Sequence, residues 1–174
     1  MRRRSARKKS SMNSKPSARE FVLAIIAGEI ERVREMHKAG ASVSEPDQYG
    51  WLPIHRAAVN NRDEIIRLLI EWGSPLEPKG TEEWTPLHLA CVSASDRAVK
   101  ALLDAGADPT ARSEFGAVPL HLAITGSKSE IVRALLSAKA KVQAHDDHGV
   151  TPLDKARESK KAELERILED AIAA

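Results

Sequence analysis

TPLHLACVSASDRAVKALLDAGADPT, residues 85–110, holds the signals from which the architecture follows. Thr85 offers a side-chain oxygen to cap a helix start. Pro86 stands just inside that start, where its fixed φ suits the first turn and its missing N–H costs no bond. A helix of about two turns is expected over Pro86–Ser93, and a second one ends before Gly106, where a left-handed backbone is easiest for glycine. The same signals return at a spacing of 33 residues: Pro53, Pro86, Pro119 and Pro152. Two positions on stand His55, His88 and His121, with Asp154 in the fourth place. Ala57, Ala90, Ala123 and Ala156 follow, and Ala24 lies one period earlier. Leu69, Leu102, Leu135 and Leu168 share a register that Met36 enters in the first period. A fixed period of this length is the mark of stacked units.

Each period reads as two short helices and a turn. The second helix is amphipathic: Ile65, Ile66, Leu68, Leu69 and Ile70 form one stripe, opposite Glu64, Arg67 and Glu71. Gly40, Gly73 and Gly106 punctuate helix ends, and a stretch of Gly, Pro, Asp and Ser character closes at Gly50, Gly116 and Gly149. LPIHRAA (52–58), TPLHLAC (85–91), VPLHLAI (118–124), TPLDKAR (151–157) and GADP (106–109) together resemble the ankyrin repeat family. The resemblance implies an all-α solenoid of stacked helix-turn-helix units with hairpin-like turns, five in number. They fall at about 18–49, 50–82, 83–115, 116–148 and 149–174, after a disordered basic tail over 1–17.

Departures from the pattern carry their own expectations. Leu52 and Val118 replace the capping threonine, a loss of ~1 kcal/mol each. Glu83 stands where a turn glycine is expected and Lys139 where a post-helix glycine is expected. The first unit lacks the Pro-Leu-His start and the last is more polar, as end units with one face in water must be.

Charge divides the chain. The 27 Lys and Arg residues face 25 Asp and Glu, but eight of the former and none of the latter fall in residues 1–19, which leaves 20–174 with a net charge of −6. The run Arg2-Arg3-Arg4-Ser5-Ala6-Arg7-Lys8-Lys9 suits a nuclear address, a nucleic-acid contact or a solvated leader, and a start at Met12 would remove it. It has no aromatics for base stacking. The lone Cys91 excludes an internal disulfide, and no apolar run approaches the ~20 residues that span a bilayer. A monomeric cytoplasmic protein is expected, with a nuclear one as the alternative.

Little in the sequence points to catalysis, a cofactor or a metal. Three histidines separated by about a helix diameter, ~10 Å, cannot close on one zinc, whose bonds to nitrogen are ~2.0–2.1 Å. They are expected to bridge hydroxyl and backbone groups. His145-Asp146-Asp147-His148 reads as a solvated turn, and Cys91 as a small buried hydrophobe. The aromatics are more pointed, because Tyr49, Trp51, Trp84 and Phe115 all lie in or beside turns. Trp72, late in a second helix, is expected against the following turn. The family resemblance implies that the turn edge and adjoining first helices bind a protein partner. The corresponding residues are Gln48, Tyr49, Trp51 and Asn60, then Thr81, Glu82, Trp84 and Ser93, then Glu114, Phe115 and Thr125. A non-catalytic protein-interaction module follows. The alternatives are inhibition of a partner enzyme by the same surface and nucleic-acid association through the tail.

Overall fold

The computed structural model describes residues 15–173, and the basic run 2–9 lies outside them. Among these residues ten α-helices form five pairs and no strand occurs. The pairs are α1 (Ala18–Ala27) with α2 (Ile30–Lys38), α3 (Pro53–Val59) with α4 (Asp63–Glu71), and α5 (Pro86–Val92) with α6 (Asp96–Asp104). Then come α7 (Pro119–Gly126) with α8 (Ser129–Ser137), and α9 (Pro152–Glu158) with α10 (Ala162–Ala173). First helices pack on first helices, α1 to α3 and on to α9, while second helices form a parallel layer from α2 to α10. Each unit therefore touches only its neighbours, as a one-dimensional stack requires.

The period becomes columns in the packing. Ala24, Ala57, Ala90, Ala123 and Ala156 are all buried, where the absence of bulk lets successive first helices approach. Leu69, Leu102, Leu135 and Leu168 are wholly enclosed, with Met36 at the same level. Each such side chain contributes about 1.5–3 kcal/mol by leaving water. Proline opens α3, α5, α7 and α9. The Thr85 and Thr151 hydroxyls accept from the His88 and Asp154 amides, whereas Leu52 and Val118 supply no such cap. Ser17, assigned by the sequence to the tail, caps α1 instead. Its hydroxyl accepts from the Glu20 amide at 3.2 Å, and the Glu20 carboxylate takes the Ser17 N–H at 3.0 Å.

One column escaped the sequence reading. Gly28, Asn61, Ala94, Ser127 and Lys160, again 33 apart, all hold positive φ between the two helices of a unit. Only the first is glycine, so tertiary packing imposes this conformation on residues that resist it. Side chains beside this column tie units together at first-helix C-termini. Arg62 Nη2 donates to the Ile26 carbonyl at 2.7 Å, Ser95 Oγ to Val59 at 3.1 Å, and Lys161 Nζ to Ile124 and Thr125. Cations there also answer the negative end of the helix dipole. Trp72 departs from expectation. Its ring stacks on His37 of the preceding unit, centroids 4.0 Å apart and planes within 7°, rather than on the turn that follows. The end of α4 faces back along the stack, and a flat imidazole there offers full ring overlap.

Candidate partner-binding edge

The repeated histidines are joints of the stack. Nδ1 of each accepts a backbone N–H at its own helix start: Leu52 for His55, Thr85 for His88 and Val118 for His121. Nε2 then donates to the next unit's turn, His55 to Pro78 at 3.0 Å and Trp84 at 3.2 Å. His88 reaches Ala117 at 3.1 Å and His121 reaches Val150 at 2.9 Å. This arrangement needs the neutral ring, since one nitrogen must accept. Burial pushes all three imidazoles below their usual pKa, His88 to about 4, although the carbonyls around them pull the other way. Asp154 occupies the fourth place, where no further turn follows among the described residues, and spends its carboxylate on Thr151 of its own helix start.

Four turns, equally spaced, carry the same backbone bonds: Asp47 N–H to Trp51, Gly80 to Trp84, Ser113 to Ala117 and Asp146 to Val150. Asp47 reinforces the first, its Oδ1 accepting from Tyr49 N–H at 2.8 Å and Trp51 N–H at 3.1 Å, and its Oδ2 from Arg56 Nε at 2.7 Å. Asp146 makes the equivalent bonds to the His148 and Val150 amides, both at 2.9 Å. No group of three or more metal-ligating side chains comes together among the described residues, the His145–His148 stretch included. Cys91 is fully buried, and burial drives its thiol far above the usual range, which leaves no reactive thiolate.

The turn tips are laced to one another. Thr81 Oγ1 donates to the Tyr49 carbonyl at 2.9 Å, Glu114 N–H to Glu82 at 2.9 Å, and Asp147 N–H to Phe115 at 3.1 Å. Tyr49, Thr81, Glu82, Glu114 and Phe115 therefore lie along one continuous edge. A second row, set back by the length of a first helix (~10 Å for seven residues), holds Asn60, Ser93 and Thr125 at first-helix ends. Gln48 is exposed beside Tyr49.

The aromatics divide in two. Tyr49 and Phe115 stand out, 61% and 52% exposed. Trp51 and Trp84 are half-buried. The Trp51 ring has the Arg56 guanidinium 4.4 Å above it and Gly80 of the next turn against its edge, and its buried indole N–H has no acceptor among the described residues. Trp84 packs on the core and presents its carbonyl to His55. Both tryptophans thus hold turns in place besides whatever else they touch.

A groove of about 580 Å³ opens at the first-unit end, between α1 and the turn 46–49, with Val22, Leu23 and Ile26 on one side and Tyr49 on the other. Leu23 is 55% exposed there, whereas Leu89 and Leu122, in the same register of inner units, are covered. These α1 residues carry no repeat signal, because the first unit lacks the Pro-Leu-His helix start. The register of Leu89 and Leu122 nonetheless runs back through Arg56 to Leu23, so spacing alone could have pointed to this residue.

Comparison with known proteins agrees with this architecture. A family model described as ankyrin repeats in three copies matches residues 21–113, and a further ankyrin repeat model matches 115–147. Palmitoyltransferase Hip14 of Drosophila melanogaster is 40% identical over 63 residues, 36% of this chain and 10% of that protein. Ankyrin repeat and SOCS box protein 3 of Homo sapiens is 42% identical over 48 residues, 28% of this chain and 9% of that protein. Protein phosphatase 1 regulatory subunit 27 of Homo sapiens is 35% identical over 51 residues, 29% of this chain and 33% of that protein. The chain thus spans a third or less of these curated relatives. No helix among the described residues is long and apolar enough to cross a membrane. Matching models over four repeats, paired helices in register and histidines that join each unit to the next turn make this chain a member of the ankyrin repeat family.

Proposed function

We propose that the chain is a non-catalytic protein-binding module whose working surface is the laced turn edge and the first-helix ends behind it. One observation carries this reading: Tyr49 and Phe115 are large, exposed and mounted on turns that are hydrogen-bonded into a single line. Exposed aromatic rings on a rigid support bring contact area at low ordering cost. The candidate contacts are Gln48, Tyr49, Trp51, Asn60, Thr81, Glu82, Trp84, Ser93, Glu114, Phe115 and Thr125. Tyr49 and Phe115 supply the anchors, and the half-buried tryptophans supply stiffness.

The test is affinity capture with the full chain and the double variant Tyr49→Ala/Phe115→Ala. Both rings are exposed, so circular dichroism is expected to stay unchanged while capture is lost. Capture that survives the double change would remove the edge from consideration.

Likeness to a phosphatase regulatory subunit favours a second form of the same reading, in which the partner is an enzyme and binding changes its activity. Adding the chain to the captured enzyme separates the two forms. Nucleic-acid association would rest on Arg2–Lys9, outside the described residues, because residues 20–174 are net negative. Retention on DNA that falls steeply with salt, and is lost with residues 2–9 replaced by alanine and serine, is its signature.

A further inference from the structure

The groove beside α1 and the charge of the adjoining turns specify what kind of segment fits, on the premise that the turn edge is a binding surface. The apolar walls are Val22, Leu23, Ile26 and the Tyr49 ring. The volume, about 580 Å³, falls in the range of clefts that take a small group, and this one is open to solvent on one side. Leu23 is exposed in this groove, whereas Leu89 and Leu122 in the same register are buried. Among the described residues the groove's one lining carboxylate, Asp47, is already committed to Arg56.

Charge appears on leaving the groove along the edge. Thr81 is bonded to Tyr49, which sets Glu82 next to the groove mouth, and the Glu82 carbonyl binds the amide of Glu114 one turn further. Both carboxylates are exposed and neither has an ion-pair partner among the described residues, unlike Glu83 with Lys79 and Asp147 with Arg112. Among the described residues, the only groove-lining cation apart from Arg56 is Arg19, on the first-unit side. The edge therefore has a direction: an apolar slot first, then two unneutralised carboxylates at successive turns.

We infer that the groove and edge bind a polypeptide segment that seats a bulky apolar side chain between Leu23 and Tyr49 and carries lysine or arginine further along, opposite Glu82 and Glu114. Like charges in the segment would be repelled at those turns and unlike charges drawn in, which gives specificity more than raw affinity.

The experiment is selection of a random-peptide display library on the full chain, followed by fluorescence anisotropy of the selected peptides. Selected peptides are expected to share an apolar residue with basic residues to one side of it. Leu23→Ser is expected to abolish binding. Glu82→Gln/Glu114→Gln is expected to weaken it roughly fivefold at low salt and to remove its salt dependence, with circular dichroism unchanged in both. Peptides that need Tyr49 and Phe115 yet carry no basic excess, or ignore the glutamine changes, would overturn the charge inference and leave the binding edge standing. Peptides indifferent to Tyr49, Phe115 and Leu23 would overturn both. An empty selection, or self-association that Leu23→Ser abolishes, would assign the groove to something other than such a segment and overturn the inference.

Discussion

The turns 47–51 and 80–84 share one backbone pattern and are held by opposite means. In the first, Asp47 binds the Tyr49 and Trp51 amides and reaches Arg56, which lies over the Trp51 ring. No histidine from the preceding unit reaches this turn, because Val22 stands one period before His55 and has nothing to donate; its one bond from outside its unit, among the described residues, is that of Thr81 to the Tyr49 carbonyl. In the second, Gly80 replaces the aspartate, and His55 from the preceding unit bonds the Pro78 and Trp84 carbonyls. That turn also holds Glu82 and Glu83 at positive φ, +58° and +56°, where the first turn has Gly50 at +76°. The fold thus fixes the turn conformation and leaves the means of holding it to each unit. The turn with the poorer local chemistry carries the acidic residues at the edge. Strain kept at a surface of this kind fits a functional demand better than a demand for stability.

Acidification should separate the two turns, with the largest effect of the four changes considered. His55, His88 and His121 have folded pKa values below the ordinary 6.5, so the unfolded chain takes up protons first as pH falls. Their stability is present above pH 6.5 and is lost on the way down, for His88 through about pH 4. For His88 alone the loss is about 3 kcal/mol. For Asp47, burial works to raise the pKa. The bonds from Arg56 and the Tyr49 and Trp51 amides outweigh it, so its contribution persists until the pH drops through a value below the ordinary 3.8. Amide hydrogen exchange followed against pH should show protection failing at Gly80 and Ser113 before Asp47. Asp47 failing first would reverse the comparison.

Asp47→Ala removes the local restraints of the first turn and strands a half-buried Arg56. A cost of about 2 kcal/mol is expected in urea unfolding, with 80–84 keeping its exchange protection. If both turns loosen together, they are not held independently.

Gly80→Ala tests the contact between the turns. Gly80 has an ordinary φ of −96°, so its need for glycine is spatial: a Cβ would sit 2.8 Å from Trp51 Cδ1. A loss of about 1–2 kcal/mol is expected from overpacking, and in a Trp51→Ala background the same change should be nearly neutral. Equal costs in both backgrounds would show that the clash is relieved without Trp51 moving.

Glu83→Gly is the smallest change and should be stabilising. Glycine accepts the +56° φ that glutamate resists, so a gain of about 1 kcal/mol in thermal unfolding is expected. Gly50→Glu in the first turn should do the reverse. A destabilised Glu83→Gly would mean that the Lys79–Glu83 ion pair outweighs the backbone strain.

The repeat and its helix starts were legible because they depend on residue type at fixed spacing. Proline at the first helical position and alanine at the closest approach are local requirements, met identically in each unit. The histidines were legible as structural but not as joints, since their second partners, Trp84, Ala117 and Val150, are carbonyls, which leave no trace in residue type. The placing of the aromatics at turns was legible, yet their exposure was not. Residue type alone does not separate the four rings, and only coordinates place the Arg56 guanidinium over Trp51 and the core behind Trp84. Trp72 was aimed the wrong way along the stack because the reading weighed only its own helix end and not His37 behind it.

The amino-acid sequence by itself determined the unit, its length and its apolar stripe, because proline, alanine and leucine recur every 33 residues, and its resemblance to a known family implied the stack of five. The tertiary structure decided which turn side chains stand free, where unneutralised carboxylates meet an apolar groove, and which non-glycine residues must hold left-handed backbone. Those outcomes depend on what a neighbouring unit covers or leaves open, and covering is a property of the stack that no single unit encodes.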